Sequence, residues 1–426
     1  MARGETGADG GDARMTLSPL GKYALRSLTR HSRRTLLSVL GIGIGCAVAL
    51  IATAYIRGEG DLIERAAALS GTGHLRISPA GWLPQRDDRL RLRDWQQALA
   101  IARQTPGVAA ATPRARSNGL LAFGTRVAGV EIVGVDPATE PRLNRVVRSI
   151  GAGRYLRLDD RGATVIGQGV ADRLRVRLDD ELLVTVAARD GNLQSAILRI
   201  VGIVRTGSQT VDATVCQIRL PELEALTGRP GAAEVAVLLE RSEEMPTVQA
   251  AFEKALPTGN VVHTWIEVLP ELKASFDLDQ GFTRLLIGTI ILVVLLGITS
   301  AQLASVLERR REFAVLSALG MKELSIARLL LLEAGVLALL GAVTGLLLGV
   351  PVVYYLATVG IDYGAFIDAD LAISNVLIDK VFHADMGFWL VPQALAIALG
   401  ATLVATVYPA WFAAKTDPAS ALRVAQ

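Results

Sequence analysis

Long runs without charge dominate the pattern of this chain. Four of them, residues 35–56, 285–307, 329–361 and 386–414, reach the roughly 20 apolar residues that a helix needs to cross the hydrocarbon core of a bilayer. Only the third contains a charged side chain, Glu333. Core helices of soluble proteins are ordinarily shorter and keep one polar face, so these runs predict membrane spans. The first follows basic residues, as a signal peptide would. Its apolar run exceeds the usual ~7–15 residues of such a segment, and Ala52-Thr53-Ala54 is a weak cleavage match, so the segment reads as an uncleaved helix.

Charges beside the runs set an orientation, because short loops rich in Lys and Arg stay in the cytoplasm. Lys22, Arg26, Arg30, Arg33 and Arg34 precede the first run with no acid among them. Arg309, Arg310, Arg311, Lys322 and Arg328 face three glutamates between the second and third runs. Between the third and fourth lie Asp362, Asp368, Asp370, Asp379 and Asp385, opposed by Lys380 alone. The three loops agree. They predict a multi-pass protein with both termini in the cytoplasm and residues 58–280 on the far side. The expected order is a disordered cytoplasmic tail (1–16), a basic amphipathic helix or simple basic flank (17–34), a first span (35–57), a large insert (58–280), a second span (281–307), a cytoplasmic helix (308–328), a third span (329–361), a short outer loop (362–385), a fourth span (386–414) and a cytoplasmic tail (415–426). Translation has two candidate starts, Met1 and Met15.

Inside the insert the period changes. A short alternating run at 74–78, a helical pattern at 94–104 and a β-like run at 108–122 are matched by a strand at 234–240, a helix at 245–256 and a strand at 260–266. Thr105-Pro106-Gly107 breaks the first helix and Pro257-Thr258-Gly259 the second, as Pro and Gly do. The two βαβ-like halves, 58–126 and 230–280, predict one α+β subdomain. Between them, 127–135, 163–166, 181–187 and 196–204 alternate or are rich in β-branched residues, and 167–174 reads as a short helix. Residues 127–229 are therefore an inserted, mainly β subdomain.

Composition narrows the class further. The 426 residues are 51% hydrophobic and 20% charged, against about 25% charged in soluble proteins, and mean hydropathy is +0.39. Forty-four basic against 41 acidic residues leave a net charge of +3, which argues against a nucleic-acid partner. The two cysteines exclude a disulfide scaffold and a Cys-ligated zinc site: Cys46 sits inside the first span and Cys216 in the insert. His31, His74, His263 and His383 are scattered, so no metal site is expected. The chain contains no G-x-x-x-x-G-K-[ST], H-E-x-x-H or G-x-S-x-G motif. The acid pairs Asp87-Asp88, Asp159-Asp160 and Asp179-Asp180 fall in turns. No catalytic residues are expected.

Two features of the spans remain as candidates. Gly41 and Gly45 in the first, and Gly341, Gly345 and Gly349 in the third, have the four-residue spacing that lets helices approach closely in lipid. They read as a packing seam, either within the bundle or between subunits. Glu333 is an intramembrane charge and so a functional candidate by default. The alternative is that it reaches the interface or pairs with Arg328.

The cytoplasmic loop reads ERRREFAVLSALGM from Glu308 to Met321, and the end of the chain reads YPAWFAAKTDPASALR from Tyr408 to Arg423. Both resemble the FtsX-like permease domain of MacB-type (type VII) ABC transporters, whose loop runs E-R-x-R-E-I-[AG]-x-x-x-A-L-G and whose tail runs Y-P-A-x-x-A-A-x-x-D-P-x-x-A-L-R. Phe313 stands where that pattern has Ile. The resemblance implies the fold class: an α-helical membrane protein with four transmembrane helices (1 + 3) and a large extracytoplasmic α+β domain, the MacB-type periplasmic core with an inserted β subdomain. It also implies a dimer with an identical or related permease in the bacterial inner membrane, worked by a cytoplasmic ABC ATPase on a separate chain. ATP and Mg would bind that partner, with no cofactor on this chain. Glu308, Arg311, Glu312, Phe313, Leu316, Ala318, Leu319 and Gly320 would form the coupling helix, with Phe313, Leu316 and Leu319 entering a groove on the ATPase and Gly320 ending the helix. The layout is similar to the lipoprotein-releasing LolC/LolE permeases, in part through Gly202-Ile203-Val204-Arg205-Thr206-Gly207 and the following Asp212. That reading adds a periplasmic lipoprotein carrier as partner. The alternatives are a MacB-like efflux permease with a periplasmic adaptor and an outer-membrane channel, or an FtsX-like permease controlling cell-wall hydrolases.

Overall fold

Apolar runs dictate where a helix can lie in lipid but not where it stops. The computed structural model describes residues 32–87, 89–365, 372–373 and 376–415. The tail at 1–16, most of the basic segment at 17–34 and all of the C-terminal tail but Lys415 lie outside the described residues. The helices of seven residues or more are α1 (Ser32–Leu69), α2 (Trp95–Gln104), α3 (Gln168–Leu174), α4 (Leu220–Thr227), α5 (Met245–Ala255), α6 (Pro270–Glu308), α7 (Arg310–Ala318), α8 (Glu323–Thr358) and α9 (Leu390–Ala414). Among the described residues, α1, α6, α8 and α9 are long and apolar enough to cross a membrane. α1 runs on past the expected end at 57, and α6 starts before the expected 281. With 38 and 39 residues, each extends about 57 Å, nearly twice the ~30 Å hydrocarbon core. α1 meets no proline and stops at Ser70-Gly71, where Gly71 has φ +96°. α6 begins with Pro270, at the helix start that proline tolerates.

Two compact units result, one of residues 1–56, 282–358 and 384–426, the other of 57–281 and 359–383. In the helical unit, Ile42, Ile298, Leu337, Ala342, Ala398 and Ala405 form one buried cluster. Val306, Phe313, Ile326, Leu330, Ala410 and Ala413 form another. Small residues dominate where α1 meets α8 and α9, as expected where lipid tails are as apolar as the side chains and close packing drives association.

The other unit is built on one sheet of ten strands: β1 (Leu75–Pro79), β2 (Val108–Phe123), β3 (Arg126–Val135), β4 (Ile150–Gly153), β5 (Ala163–Gly167), β6 (Glu181–Ala187), β7 (Leu193–Val204), β8 (Cys216–Arg219), β9 (Glu234–Leu239) and β10 (Asn260–Thr264). β10-β1-β9-β2 run antiparallel, and α2 and α5 cover them. Leu75, Ile77, Leu99, Val235, Val237 and Phe252 are buried between these layers, each contributing about 1.5–3 kcal/mol of burial.

The second half of β2 and five further strands close on themselves, with β4 pairing β7 outside the ring. β2 pairs β3, β3 pairs β8, β8 pairs β5, β5 pairs β7, β7 pairs β6, and β6 returns to β2. This ring of six hides its edges as barrels do. Leu121, Ile132, Ile166, Val184, Ile200 and Ile218 fill it. β2 is 16 residues long. Its first half lies in the open sheet and its second in the ring, so one strand ties the two subdomains without a linker. Gly167 marks a close crossing, since a Cβ there would lie 2.1 Å from the Asp212 carbonyl oxygen.

Candidate functional site

The loop between α6 and α8 folds as a helix for local reasons. The backbone bends at Arg309 (φ −94°, ψ 12°) without breaking, because its N–H still donates to the Ser305 carbonyl at 3.2 Å and its own carbonyl accepts from Phe313 at 3.1 Å. At the other end Gly320 has φ +89°, a conformation that favours glycine. Its N–H donates to Ser317 O, and Met321 N–H donates to Leu316 O, both at 3.0 Å. These two bonds make a Schellman closure, and Leu316 and Met321 pack on the same buried cluster.

The helix presents two faces. Phe313 is 1% exposed and Ala314 fully buried, while Leu316 is half-buried. Glu308, Arg311, Glu312, Val315, Ala318, Leu319 and Gly320 are exposed, with Leu319 at 81%. This corrects the expectation that Phe313, Leu316 and Leu319 together form an outward apolar face. At 3.6 residues per turn, three steps fall about 60° short of a full turn, so the three positions fan over about 120°. Phe313 lies among Val306, Ile326 and Ala410, and Val315 joins Leu319 on the outer stripe.

Glu333 is not left to seek solvent. It lies on α8, 7% exposed, opposite Arg309 with the same exposure. Arg309 Nη1 donates to Glu333 Oε2 at 2.8 Å and to Oε1 at 3.1 Å. Arg309 Nε donates to Glu312 Oε2 at 3.0 Å, and the guanidinium carbon stands 5.1 Å from the Phe313 ring centre. The pairing with Arg309 replaces the expected one with Arg328. Sequence reading missed Arg309 because nothing in a run of three arginines singles one out. The bend that places it inside is a backbone feature.

The glycines divide. A Cβ on Gly341 would lie 2.3 Å from Ile42 Cγ2, one on Gly345 2.7 Å from Cys46 Cβ, and one on Gly349 3.3 Å from Ala47 Cα. The triple repeat therefore packs α8 against α1 within one chain. A Cβ on Gly45 would lie 2.7 Å from Val294 Cγ1 of α6, whereas one on Gly41 would meet nothing within 4 Å, so Gly41 has no part in this seam.

The α+β unit holds its own charge network. Arg114 donates to both oxygens of Glu140 from Nε and Nη2, at 2.7 and 2.8 Å, and Asn144 donates to Glu140 Oε1 at 2.9 Å. Glu234 pairs with Arg76 at 3.1 Å and with Arg116 at 3.3 Å, and Arg116 reaches Glu131 at 2.8 Å. Burial opposes ionisation of Glu234, but Arg116, Arg76 and Arg114 outweigh it and hold its carboxyl at about 2. His74 goes the other way. Burial lowers its pKa to about 4, and its neutral Nδ1 accepts from Leu239 N–H at 3.0 Å. A cleft of about 640 Å³ lies beside this network, lined by Arg114, Arg116, Glu131, Glu140 and Gln217 among others. Asp160 accepts from Arg154, and Asp180 from the Arg177 N–H, so these acids stabilise turns. Asp212 accepts from the Thr206 N–H and hydroxyl at 2.9 and 2.7 Å, which closes the loop after Gly202-Ile203-Val204.

Comparison with known proteins fits both units. A family model described as the MacB-like periplasmic core domain matches residues 35–255, and one described as the FtsX-like permease C-terminal region matches 284–418. The lipoprotein-releasing system transmembrane protein LolC of Xylella fastidiosa (strain Temecula1) is 23% identical over 91% of this chain and 92% of its own length. The macrolide export ATP-binding/permease protein MacB of Campylobacter jejuni (serotype O:23/36) is 23% identical over 86% of this chain and 58% of its own. The crystal structure of the periplasmic region of MacB from Actinobacillus actinomycetemcomitans aligns with a TM-score of 0.35 at 11% identity, over 48% of this chain and 94% of that one.

Proposed function

Because the chain belongs to the MacB/FtsX-like (type VII) family of ABC transporter permeases, we propose that it converts ATP hydrolysis by a separate ATPase chain into work on the far side of the membrane, and that this work is the release of lipoproteins from the inner membrane. The observation carrying the second half is the match to LolC over nine tenths of both chains. In this reading four spans cross the inner membrane, both termini are cytoplasmic, ATP and Mg bind the partner, and a second permease completes the complex. α7 is the coupling helix. Its outer stripe of Val315, Ala318 and Leu319, with Glu308, Arg311 and Glu312 beside it, meets the ATPase. Phe313 and Arg309 anchor it from within.

The match to MacB over 86% of this chain supports a second reading, efflux through an adaptor and channel. Depletion of the protein separates the two. Lipoprotein release predicts that palmitoylated lipoproteins accumulate in the inner-membrane fraction. Unchanged sorting together with macrolide hypersensitivity would replace it by efflux.

A further inference from the structure

We propose that Arg309 is a positioning residue through which α7 moves α8; the proposal rests on the reading of α7 as the coupling helix. The guanidinium is shared between an exposed acid and a buried one. Nε is on Glu312, whose side chain is 43% exposed, and Nη1 is on Glu333 inside the bundle. Nη2 is buried and has no hydrogen-bond partner among the described residues. A buried donor without a partner is costly, which favours a second arrangement that uses it. An arginine can also grip one carboxylate with two parallel N–H groups. A cationic group on the ATPase that takes up Glu312 frees Arg309 to turn, so that Nη1 and Nη2 both close on Glu333. One contact at Glu312, beside the outer stripe, is thereby converted into a tighter grip on α8.

Movement of α8 at Glu333 is not absorbed locally. Farther along the same helix Gly341, Gly345 and Gly349 face Ile42, Cys46 and Ala47 of α1, and α8 contributes no side chain of its own at these points to yield. Two discrete pairings of one guanidinium, biased from the surface, are the kind of two-state element that coupling requires.

The test uses the full chain with its ATPase in nanodiscs. Cys46 and Cys216 are buried, so a cysteine at exposed Ala250 of α5 (Ala250→Cys) is labelled selectively with an environment-sensitive fluorophore. ATP hydrolysis and the fluorescence change on adding ATP and vanadate are read together, with copurification of the ATPase as the check on folding. Glu333→Gln should keep hydrolysis within about twofold and reduce the fluorescence change about tenfold, the size of a typical coupling term. Arg309→Lys should fall between. Arg309→Glu with Glu333→Arg should recover at least about half of the wild-type response. An unchanged response in Glu333→Gln overturns the role of Arg309 while leaving the coupling helix in place. Loss of ATPase binding in both single variants without recovery in the exchange makes the pair structural only, and also overturns it. A wild-type chain that binds no ATPase, or shows no nucleotide-dependent change, defeats the coupling-helix reading itself and this proposal with it.

Discussion

Two buried arginines, one in each unit, differ in how completely they are paired. Arg114 and Glu140 in the α+β unit are 2% and 0% exposed, face each other fork to fork, and leave no buried nitrogen or oxygen of either side chain without a partner. The side chains of Arg309 and Glu333 in the helical unit are also buried, yet Arg309 divides its donors between two acids and keeps Nη2 unspent. A saturated buried pair has one good geometry and fixes the strand that carries it. A shared pair has two, and can pass a displacement on. The comparison separates two kinds of buried charge, one saturated and one with a donor to spare, and the proposed coupling draws on the second.

The largest effect should come from breaking the saturated pair. Glu140→Ala leaves Arg114 charged and buried at the point where β2 passes from the open sheet into the ring. Removing one partner of such a pair costs about 3–5 kcal/mol. Urea unfolding followed by fluorescence of Trp82, Trp95 and Trp265, all in this unit, measures it. A loss below about 1 kcal/mol, the level of an exposed pair, would erase the contrast between the two arginines.

Acid should act next, and on the same unit. Burial lowers the folded pKa of His74 to about 4, against 6.5 for an ordinary histidine. A depressed folded value means that the unfolded chain binds the proton first as pH falls. The stability held above about pH 6.5 is therefore lost between there and about pH 4, to a total of about 3 kcal/mol. His263 is shifted in the same direction, also by burial. Glu234, held at about 2, adds a further loss below its unfolded range near 4.5. Urea midpoints measured from pH 7 to 4 should fall, and His74→Gln should flatten the upper part of the curve. If the wild-type midpoint stays level down to pH 4, the buried neutral His74 is not as the structure has it.

How much of this was legible in the sequence follows from how local each feature is. The alternation in 181–187 marks β6 to the residue, and the Pro-Gly breaks after Gln104 and Ala255 mark the ends of α2 and α5. β4 and β8, four residues each, are too short to show a period. The closed ring depends on the parallel pairs β3 with β8 and β5 with β7, which join residues far apart in the chain and leave no local trace. In the candidate site, the motif located α7 and Gly320 its end. Which way the helix turns depends on the bend at Arg309 and on Phe313 finding Val306 and Ala410, so an apolar trio that the sequence presents as one face is divided between inside and outside. The partner of Glu333 was hidden for the same reason.

That division makes the smallest effect on folding the most informative about function. Leu319 is 81% exposed, so Leu319→Asp should change stability by no more than about 0.5 kcal/mol, as surface substitutions do. If the outer stripe meets the ATPase, the same change places a carboxylate in an apolar contact and should abolish copurification of the ATPase and its hydrolysis in the complex. Leu316→Asp is the control. Leu316 packs against the cluster of Phe313 and Ile326, so a charge there should destabilise the helical unit by about 1–3 kcal/mol, visible as a lower melting temperature in detergent before any effect on coupling is read. Equal losses of stability in the two variants would mean that α7 is buried on both sides and has no free face to offer. A Leu319→Asp complex that assembles and hydrolyses ATP as the wild type does would move the contact away from this stripe. Only a stable chain that no longer holds its ATPase keeps both parts of the argument, an inner anchorage at Arg309 and Phe313 and an outer contact at Val315 and Leu319.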